Sequence, residues 1–324
     1  MNARERVQAA LAGGEVDRPP VSIWHHFPER DQRAEDLAEA TYRFWATYEF
    51  DFIKFMPPGD YPTIDWGARS VYTGSRAGTR ETVEFPVTGP RDWTRIRAVD
   101  ASTGMHAEMN RALELLQRQL RDRAPVLQTI FSPLTIAQKL SNGLAVRQAE
   151  TDPAALKGAL EAIAETTRAM TRAALAGGAD GIFFATQCAT REVMDEAAYA
   201  EFGTPFDLAV LEAARGSSFT LLHLHGNAPY LSLTPSYPVH AVNWHDRRAG
   251  PPLPDVQRAT GRCVVGGLNE QSVLATGAPD EVRREAREAV EATAARSVMV
   301  APGCVVPIDT PAENIAAAVA AVRS

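Results

Sequence analysis

The 324-residue chain carries 33 Lys and Arg against 40 Asp and Glu, which gives a formal net charge of −7. Its hydrophobic content of 45% and charged content of 23% are typical of a soluble globular protein with one large domain or two ordinary ones. The basic residues form no continuous run, so nucleic acid is not expected as a partner. No apolar run is long enough to cross a bilayer, so a membrane is not expected either.

The first segment, MNARERVQAALAGGEVDRPP, predicts a capped amphipathic helix. A signal peptide is disfavoured because charged residues interrupt its apolar positions. The three cysteines, Cys188, Cys263 and Cys304, are widely spaced and odd in number, which argues against a disulfide framework. We therefore expect a cytoplasmic protein.

Eight short apolar runs rich in Val, Ile and Phe follow in chain order, separated by helical segments rich in Ala, Glu and Arg. The runs are VSIW (21–24), FDFIKF (50–55), VLQTIFS (126–132), GIFFATQ (181–187), FTLLHLH (219–225), AVNWHD (241–246), CVVGGLN (263–269) and VMVAPGC (298–304). Strands apolar on both faces and alternating with helices predict a buried parallel sheet, and eight of them predict a closed (β/α)8 TIM barrel.

A doubly wound open sheet is the alternative architecture, but no glycine-rich dinucleotide fingerprint follows the first run. We expect residues 1–324 to form a single domain with an N-terminal helix. An irregular excursion at about 57–100 should form a hairpin over the barrel mouth.

Two histidines and a cysteine predict a metal site at the carboxyl ends of the strands, where barrel enzymes place their chemistry. His223 and His225 stand two residues apart at the end of the fifth run, so their side chains share one face. Cys304 ends the eighth run. Two imidazoles and a thiolate with one open position are typical of catalytic zinc sites. The alternative is two hydrogen-bonded core histidines and a small buried cysteine.

Segments along the whole chain resemble the uroporphyrinogen decarboxylase superfamily. RERVQAALAGGEVDRPPVSIW is similar to its opening, and PGCVVPIDTPAENIAAAVAAV to its C-terminal signature. FSPLTIAQKLSNG and FGTPFDLAVLEAAR resemble segments between them. The resemblance implies a distorted (β/α)8 barrel and a homodimer.

The positions that bind a porphyrinogen in true decarboxylases carry other residues here. HHFPERD replaces a stretch whose arginines hold substrate carboxylates, and Asp60 falls a few residues late for the family's essential aspartate. The replacing residues are His25, His26, Met56, Lys139 and Cys304. Decarboxylation of uroporphyrinogen is therefore disfavoured.

The site residues resemble more the corrinoid-linked branch, such as the methylcobamide:coenzyme M methyltransferases. That branch binds zinc through His-x-Cys-Gly-Asn on strand five and a Pro-Gly-Cys turn on strand eight. His223, Gly226, Asn227 and Cys304 match, whereas His225 replaces a cysteine. The resemblance implies Zn²⁺ on His223, His225 and Cys304. Any methyl-corrinoid would belong to a separate partner protein, since no Asp-x-His-x-x-Gly motif is present.

The replacement of a thiolate ligand by His225 bears on the reaction. A neutral imidazole leaves the metal more electrophilic, so the methyl acceptor can differ from the family's usual one. Hydrolytic or lyase chemistry stays open.

Other residues end predicted strands or lie in the expected mouth. His245 or Asp246 would orient a zinc ligand or act as general base, and His25 is a third catalytic candidate. Surface-loop roles are the alternatives for all three. The candidate substrate contacts are His26, Met56, Asp60, Lys139, Gln187, Asn227 and Asn243.

The predicted function is zinc-dependent methyl transfer between a corrinoid or similar donor and a thiol-like acceptor. The alternatives are a metal-free decarboxylase or lyase acting on a smaller substrate, and a ligand-binding barrel without chemistry. Metal binding would distinguish the predicted function from these two alternatives. The mouth loops favour a small polar substrate.

Overall fold

The computed structural model describes residues 1–323, in which helices alternate with short strands. The strands are β1 (Ile53–Phe55), β2 (Arg69–Val71), β3 (Glu81–Glu84), β4 (Val126–Phe131), β5 (Gly181–Thr186), β6 (Leu221–Leu224), β7 (Ala241–Trp244), β8 (Cys263–Leu268) and β9 (Val298–Pro302).

The helices begin with α1 and α2 before the first strand and end with α14 after the last. They are α1 (Ala3–Leu11), α2 (Ala34–Tyr48), α3 (Tyr61–Ile64), α4 (Gly104–Leu120), α5 (Pro133–Leu140), α6 (Leu144–Thr151), α7 (Pro153–Ala176), α8 (Glu196–Phe202), α9 (Thr204–Ala213), α10 (Asp246–Ala249), α11 (Leu253–Thr260), α12 (Val273–Thr276), α13 (Pro279–Ala292) and α14 (Ala312–Arg323). Two 3-10 helices cover Pro90–Arg95 and Leu231–Ser236.

Seven strands form one parallel sheet in the order β1-β4-β5-β6-β7-β8-β9. Every residue in these strands is buried, which explains why the runs are apolar on both faces. The sheet order follows the chain order, so the carboxyl ends of all seven strands lie at one edge. His223 and Asn243 are register partners on β6 and β7 at that edge.

The first predicted strand is wrong as a strand. Val21 forms only an isolated parallel bridge with Val300 of β9. On its other side, the Asp51 amide donates to the Val21 carbonyl at 2.9 Å, and the Ser22 hydroxyl donates to the Phe52 carbonyl at 2.7 Å. The two prolines before Val21 lack N–H donors, which prevents a continuous ladder here. The eight-strand prediction is therefore correct for seven strands.

The buried carboxylate of Asp51 holds the N-terminal segment against the start of β1. Its oxygens lie 2.6 Å from Arg6 Nη1 and 2.7 Å from Arg18 Nη1, and one accepts the Val21 N–H at 2.9 Å. Two guanidinium groups and a backbone amide compensate the cost of burying this charge. The short segment stays in place without a full strand because of these contacts.

An antiparallel hairpin, β2–β3, lies between β1 and β4. Its connecting loop is held from two sides, because the Ile308 amide donates to the Arg76 carbonyl at 2.8 Å and Arg80 pairs with buried Asp31 at 2.9 Å. The hairpin falls within the stretch for which an excursion was expected. Among residues 1–323, no helix has the length and apolarity that a membrane crossing requires.

A buried carboxyl group packs between α8, α9 and the residues after the second 3-10 helix. Asp207 Oδ2 accepts hydrogen bonds from Tyr199 Oη at 2.5 Å and Tyr237 Oη at 2.7 Å. Burial raises the pKa of Asp207 to about 7, and the two hydroxyls oppose the shift only in part. The folded state therefore favours the protonated form.

We predict that Asp207 makes the unfolding free energy decrease with pH. The pKa of this group is raised on folding, so its stabilisation is full below the unfolded value of about 4 and is lost as pH rises towards 7. The slope from this one group should reach about −1.4 kcal/mol per pH unit. Urea unfolding of wild type and Asp207→Asn at several pH values between 4.5 and 7.5 measures it. Equal slopes for the two proteins would contradict the assignment.

Candidate metal centre

Four side chains converge at the carboxyl-end edge of the sheet. His223 lies in β6 and His225 directly after it, while His245 follows β7 and Cys304 follows β9. One donor atom of each lies within 4.8 Å of the donor atoms of the other three. Together, these four residues are the histidine–cysteine cluster.

The spacing within the cluster fits a zinc ion. Cys304 Sγ lies 3.7 Å from His225 Nδ1 and 4.0 Å from His223 Nε2. Tetrahedral zinc with ordinary Zn–S and Zn–N bonds separates such atoms by roughly 3.6 Å. Imidazole nitrogen and thiolate sulfur are also donors that Zn²⁺ prefers. The three residues would need only small shifts to bind it.

The orientation of His223 is set by Asn243. Asn243 Nδ2 donates to the carbonyl oxygens of Val265 at 2.8 Å and Pro302 at 3.1 Å, so its Oδ1 faces His223 Nδ1 at 2.6 Å. An amide oxygen only accepts, which places the ring proton of His223 on Nδ1. Nε2 is left with a lone pair directed towards Cys304. Fixing a ligand's tautomer in this way is typical of metal sites.

Burial keeps the histidines neutral and the thiol protonated. It lowers the pKa of His225 and of His223, the latter well below the ordinary value, and it lowers that of His245 to about 3. Burial also raises the pKa of the Cys304 thiol, against which the charge of Lys54 acts. Neutral imidazoles are ready to bind a metal, whereas the thiol must first lose its proton.

The cluster borders a cavity of about 240 Å³. Among the lining residues that the structure describes, Lys54, Lys139 and Arg248 carry positive charge, and none is Asp or Glu. The remaining residues are His26, Met56, Pro57, Gly59, Ala77, Thr79, Thr129, Phe131, Phe183, Ala185, Gln187, His223, His225, Gln271, Cys304 and Val305. Such a lining suits a small molecule with an anionic group.

Two of these cations lack an anionic partner. Lys54 is 7% exposed, and its Nζ lies 4.2 Å from the centroid of the Phe183 ring, which also stacks on His223 at 5.3 Å. Lys139 Nζ lies 5.1 Å from the Phe131 centroid. Neither ammonium makes a hydrogen bond or ion pair within residues 1–323. Burial lowers the pKa of Lys139, and that of Lys54 to about 7.

A wider cleft lies next to the cavity. Lys139 and Gln187 line both spaces, and the cleft, of about 520 Å³, also borders residues of β3 and α5. The Gln187 amide donates to Thr135 Oγ1 at 2.8 Å, which fixes the end of β5 at the junction. A ligand in the cavity therefore has room to extend outwards past Lys139.

The family model described as uroporphyrinogen decarboxylase (URO-D) matches residues 2–324. The chain belongs to the uroporphyrinogen decarboxylase family. The methylcobamide:CoM methyltransferase MtbA of Methanosarcina mazei is 22% identical over 331 residues, covering 96% of this chain and 95% of the relative. The family resemblance expected from the end motifs is thus confirmed.

Solved structures share the fold of this URO-D family member. A methyltransferase from Methanosarcina mazei has a TM-score of 0.88 at 21% identity, covering 100% of this chain and 98% of that chain. A B12-independent methionine synthase from Shewanella sp. W3-18-1 has a TM-score of 0.57 at 13% identity, with 95% and 94% covered. At these identities the likeness concerns the α/β fold alone.

Several residues singled out in the sequence lie in or behind the cavity. His26, Met56, Lys139 and Gln187 line it. Asn243 is fully buried behind His223 and acts through that ring. Burial lowers the pKa of His26 to about 3, so its ring is neutral beside the two lysines.

Other candidates lie outside the cavity. His25 packs edge-on against Phe44 with centroids 4.4 Å apart, and Asp60 accepts a hydrogen bond from Ser70. Asn227 is exposed and donates to Glu192 at 2.8 Å. Asp246 accepts the Gly267 N–H at 3.1 Å, away from the ligand atoms. These four contacts point to roles in local structure.

Lys54 and Arg248 were missed by the sequence reasoning. A signal existed for Lys54, because lysine is rarely buried and its place inside the apolar run FDFIKF indicates a functional role. For Arg248 there was none, since the pair Arg247-Arg248 resembles any charged helix start. Arg247 indeed points elsewhere, to the Gly267 carbonyl at 2.9 Å.

We predict that Asn243→Ala weakens zinc binding about 10- to 100-fold, because His223 loses the partner that fixes its tautomer. Competition with a chromophoric chelator measures the dissociation constant. Asn142→Ala, which removes an exposed asparagine after α5, serves as the control and should match wild type. Unchanged affinity in Asn243→Ala would contradict the role of this hydrogen bond.

Proposed function

We propose that this protein is a zinc-dependent methyltransferase that moves a methyl group from a corrinoid to a small thiol bearing an anionic group. The observation that carries the proposal is the histidine–cysteine cluster at the edge of a cavity lined by two unpaired lysines, of which Lys54 is buried and Lys139 half-buried. The corrinoid would be carried by a separate partner protein. The name of the relative MtbA, a methylcobamide:CoM methyltransferase, supports the same reaction class.

In this proposal, different residues of the chain bind the metal and the acceptor. His223, His225 and Cys304 hold the metal, and Asn243 fixes the first of them. Bound zinc would lower the pKa of the acceptor thiol so that a thiolate is present at neutral pH. Lys54 and Lys139 bind the anionic group of the acceptor, which supplies the partner that each ammonium lacks. Phe131 and Phe183 cover the apolar walls and exclude water from the acceptor.

The surroundings of this site carry further proposals. We propose that residues 1–324 form a single domain, in which the segment around Val21 takes the place of the eighth strand of the barrel. The three free cysteines favour a cytoplasmic protein, and the family resemblance favours a homodimer.

A second candidate is metal-free decarboxylation of a small carboxylic acid. Buried Lys54 and half-buried Lys139 favour it, since two ammonium groups could hold substrate carboxylates, a task for which the family's decarboxylases use arginines. The histidine–cysteine cluster has no role in that reaction. Metal dependence therefore separates the two candidates.

We predict about one zinc per chain in wild type, lost in His223→Ala and Cys304→Ala because each removes a ligand. Elemental mass spectrometry of untagged protein measures the content. Methylation of coenzyme M with methylcobalamin as a donor probe should fall in parallel, by at least about 100-fold. Cys263→Ala, a buried cysteine away from the cluster, is the control. Full methyl transfer by metal-free wild type would refute zinc dependence, whereas a metal-free wild type without methyl transfer would favour decarboxylation.

We predict that Lys54→Met raises KM for an anionic thiol about tenfold or more, because a buried counter-charge is lost. KM for uncharged 2-mercaptoethanol should change less than about threefold, since that acceptor offers no anion. Steady-state assays with the two thiols measure the split. Lys157→Met, at a half-exposed ion pair with Glu201, is the matched control. Equal effects on both acceptors would exclude an anion-binding role.

A further inference from the structure

His245 is the fourth member of the histidine–cysteine cluster, and its role decides what kind of site this is. Four protein ligands make a closed, structural zinc site, whereas three leave one position for substrate. The ring is 2% exposed and stands edge-on to His225, with centroids 4.7 Å apart. Proximity alone would therefore count it as a ligand.

The hydrogen bonding of His245 argues against ligation. Arg248 Nη2 lies 2.9 Å from His245 Nδ1. A guanidinium group only donates, so Nδ1 must accept with its single lone pair. The proton of the neutral ring is then on Nε2. That atom is buried and has no hydrogen-bond partner within residues 1–323.

Neither nitrogen of His245 is thus free to bind a metal. The lone pair of Nδ1 is used by Arg248, and Nε2 carries the proton. Moving the proton to Nδ1 would free Nε2 but would set an N–H against the N–H groups of the guanidinium. Ligation therefore requires Arg248 to withdraw.

Arg248 is held where it is by residues at the end of β8. Its Nε lies 2.8 Å from Oε1 of Glu270, which is 1% exposed, and its Nη1 donates to Gln271 Oε1 at 3.3 Å. The Pro-Gly-Cys turn packs tightly against His245 and Glu270, because a Cβ on Gly303 would lie 2.9 Å from His245 Cα and 3.2 Å from Glu270 Oε2. A buried counter-charge and a close turn keep the guanidinium in this position.

We propose that Arg248 is a positioning residue that keeps His245 out of the coordination set, so that His223, His225 and Cys304 bind the metal and one position stays open. This inference rests on the metal of the proposed function. It adds that the open position depends on an arginine outside the ligand set, held by Glu270. The adjacent Arg247 bonds to the Gly267 carbonyl at 2.9 Å and takes no part.

A mutant cycle tests the proposal by zinc affinity and by the visible spectrum of the cobalt(II)-substituted protein. His245→Ala should change the zinc dissociation constant less than about threefold, since no ligand is lost. Arg248→Met should tighten zinc binding about tenfold or more and alter the cobalt spectrum, because His245 can then ligate. Arg248→Met/His245→Ala should restore the wild-type affinity and spectrum. Arg247→Met is the control and should resemble wild type throughout.

Either of two results with the variants would overturn the proposal. One is a tenfold or greater loss of affinity in His245→Ala, which would make this histidine a ligand in the wild-type protein. The other is an Arg248→Met protein with unchanged affinity and spectrum. The first measurement stands even if Arg248→Met does not fold. Zinc binding without methyl transfer would refute the proposed function but leave this cycle valid, whereas wild type without zinc would overturn both.

Discussion

The hydrogen bond from His223 to Asn243 is the contact on which the candidate metal centre depends. It joins register partners on β6 and β7, and the same amide also bonds to the carbonyls of Val265 and Pro302. One side chain thus ties together four neighbouring stretches of the sheet edge. The imidazole orientation follows from sheet register and does not require a flexible loop to be placed correctly. Any change in pairing between these strands would misdirect the ring.

The charge balance of the cavity follows from burial. The histidines are neutral, Lys54 is buried, and neither Lys54 nor Lys139 pairs with a carboxylate of the described lining. A divalent metal with a single thiolate ligand would add further positive charge. The cavity as a whole is therefore built to attract anions, and a neutral or cationic ligand would leave buried charge without a partner. The selectivity of the cavity for a ligand would come from this positive charge as much as from the shape of the cavity.

Much of the fold could be predicted from sequence because its signals are local. Seven buried runs became strands, and the alternation with helices specified a parallel sheet. The convergence of His223, His225 and Cys304 followed from the rule that parallel strands end at one edge. Val21 failed as a strand because backbone donors, and not side-chain polarity, limit pairing there. The role of Arg248 needed coordinates, since partner choice between Arg247 and Arg248 depends on helix orientation.

The bridge from Val21 to Val300 joins two segments that lie far apart in the sequence. Val21 is synthesised long before Val300, so this contact cannot form on the nascent chain until β9 has left the ribosome. Cys304 lies four residues beyond that bridge. Until Cys304 has been made, the nascent polypeptide has an incomplete sheet edge and a pair of histidines without their thiol partner. Binding of one metal ion by His223, His225 and Cys304 together would therefore have to follow the synthesis of β9.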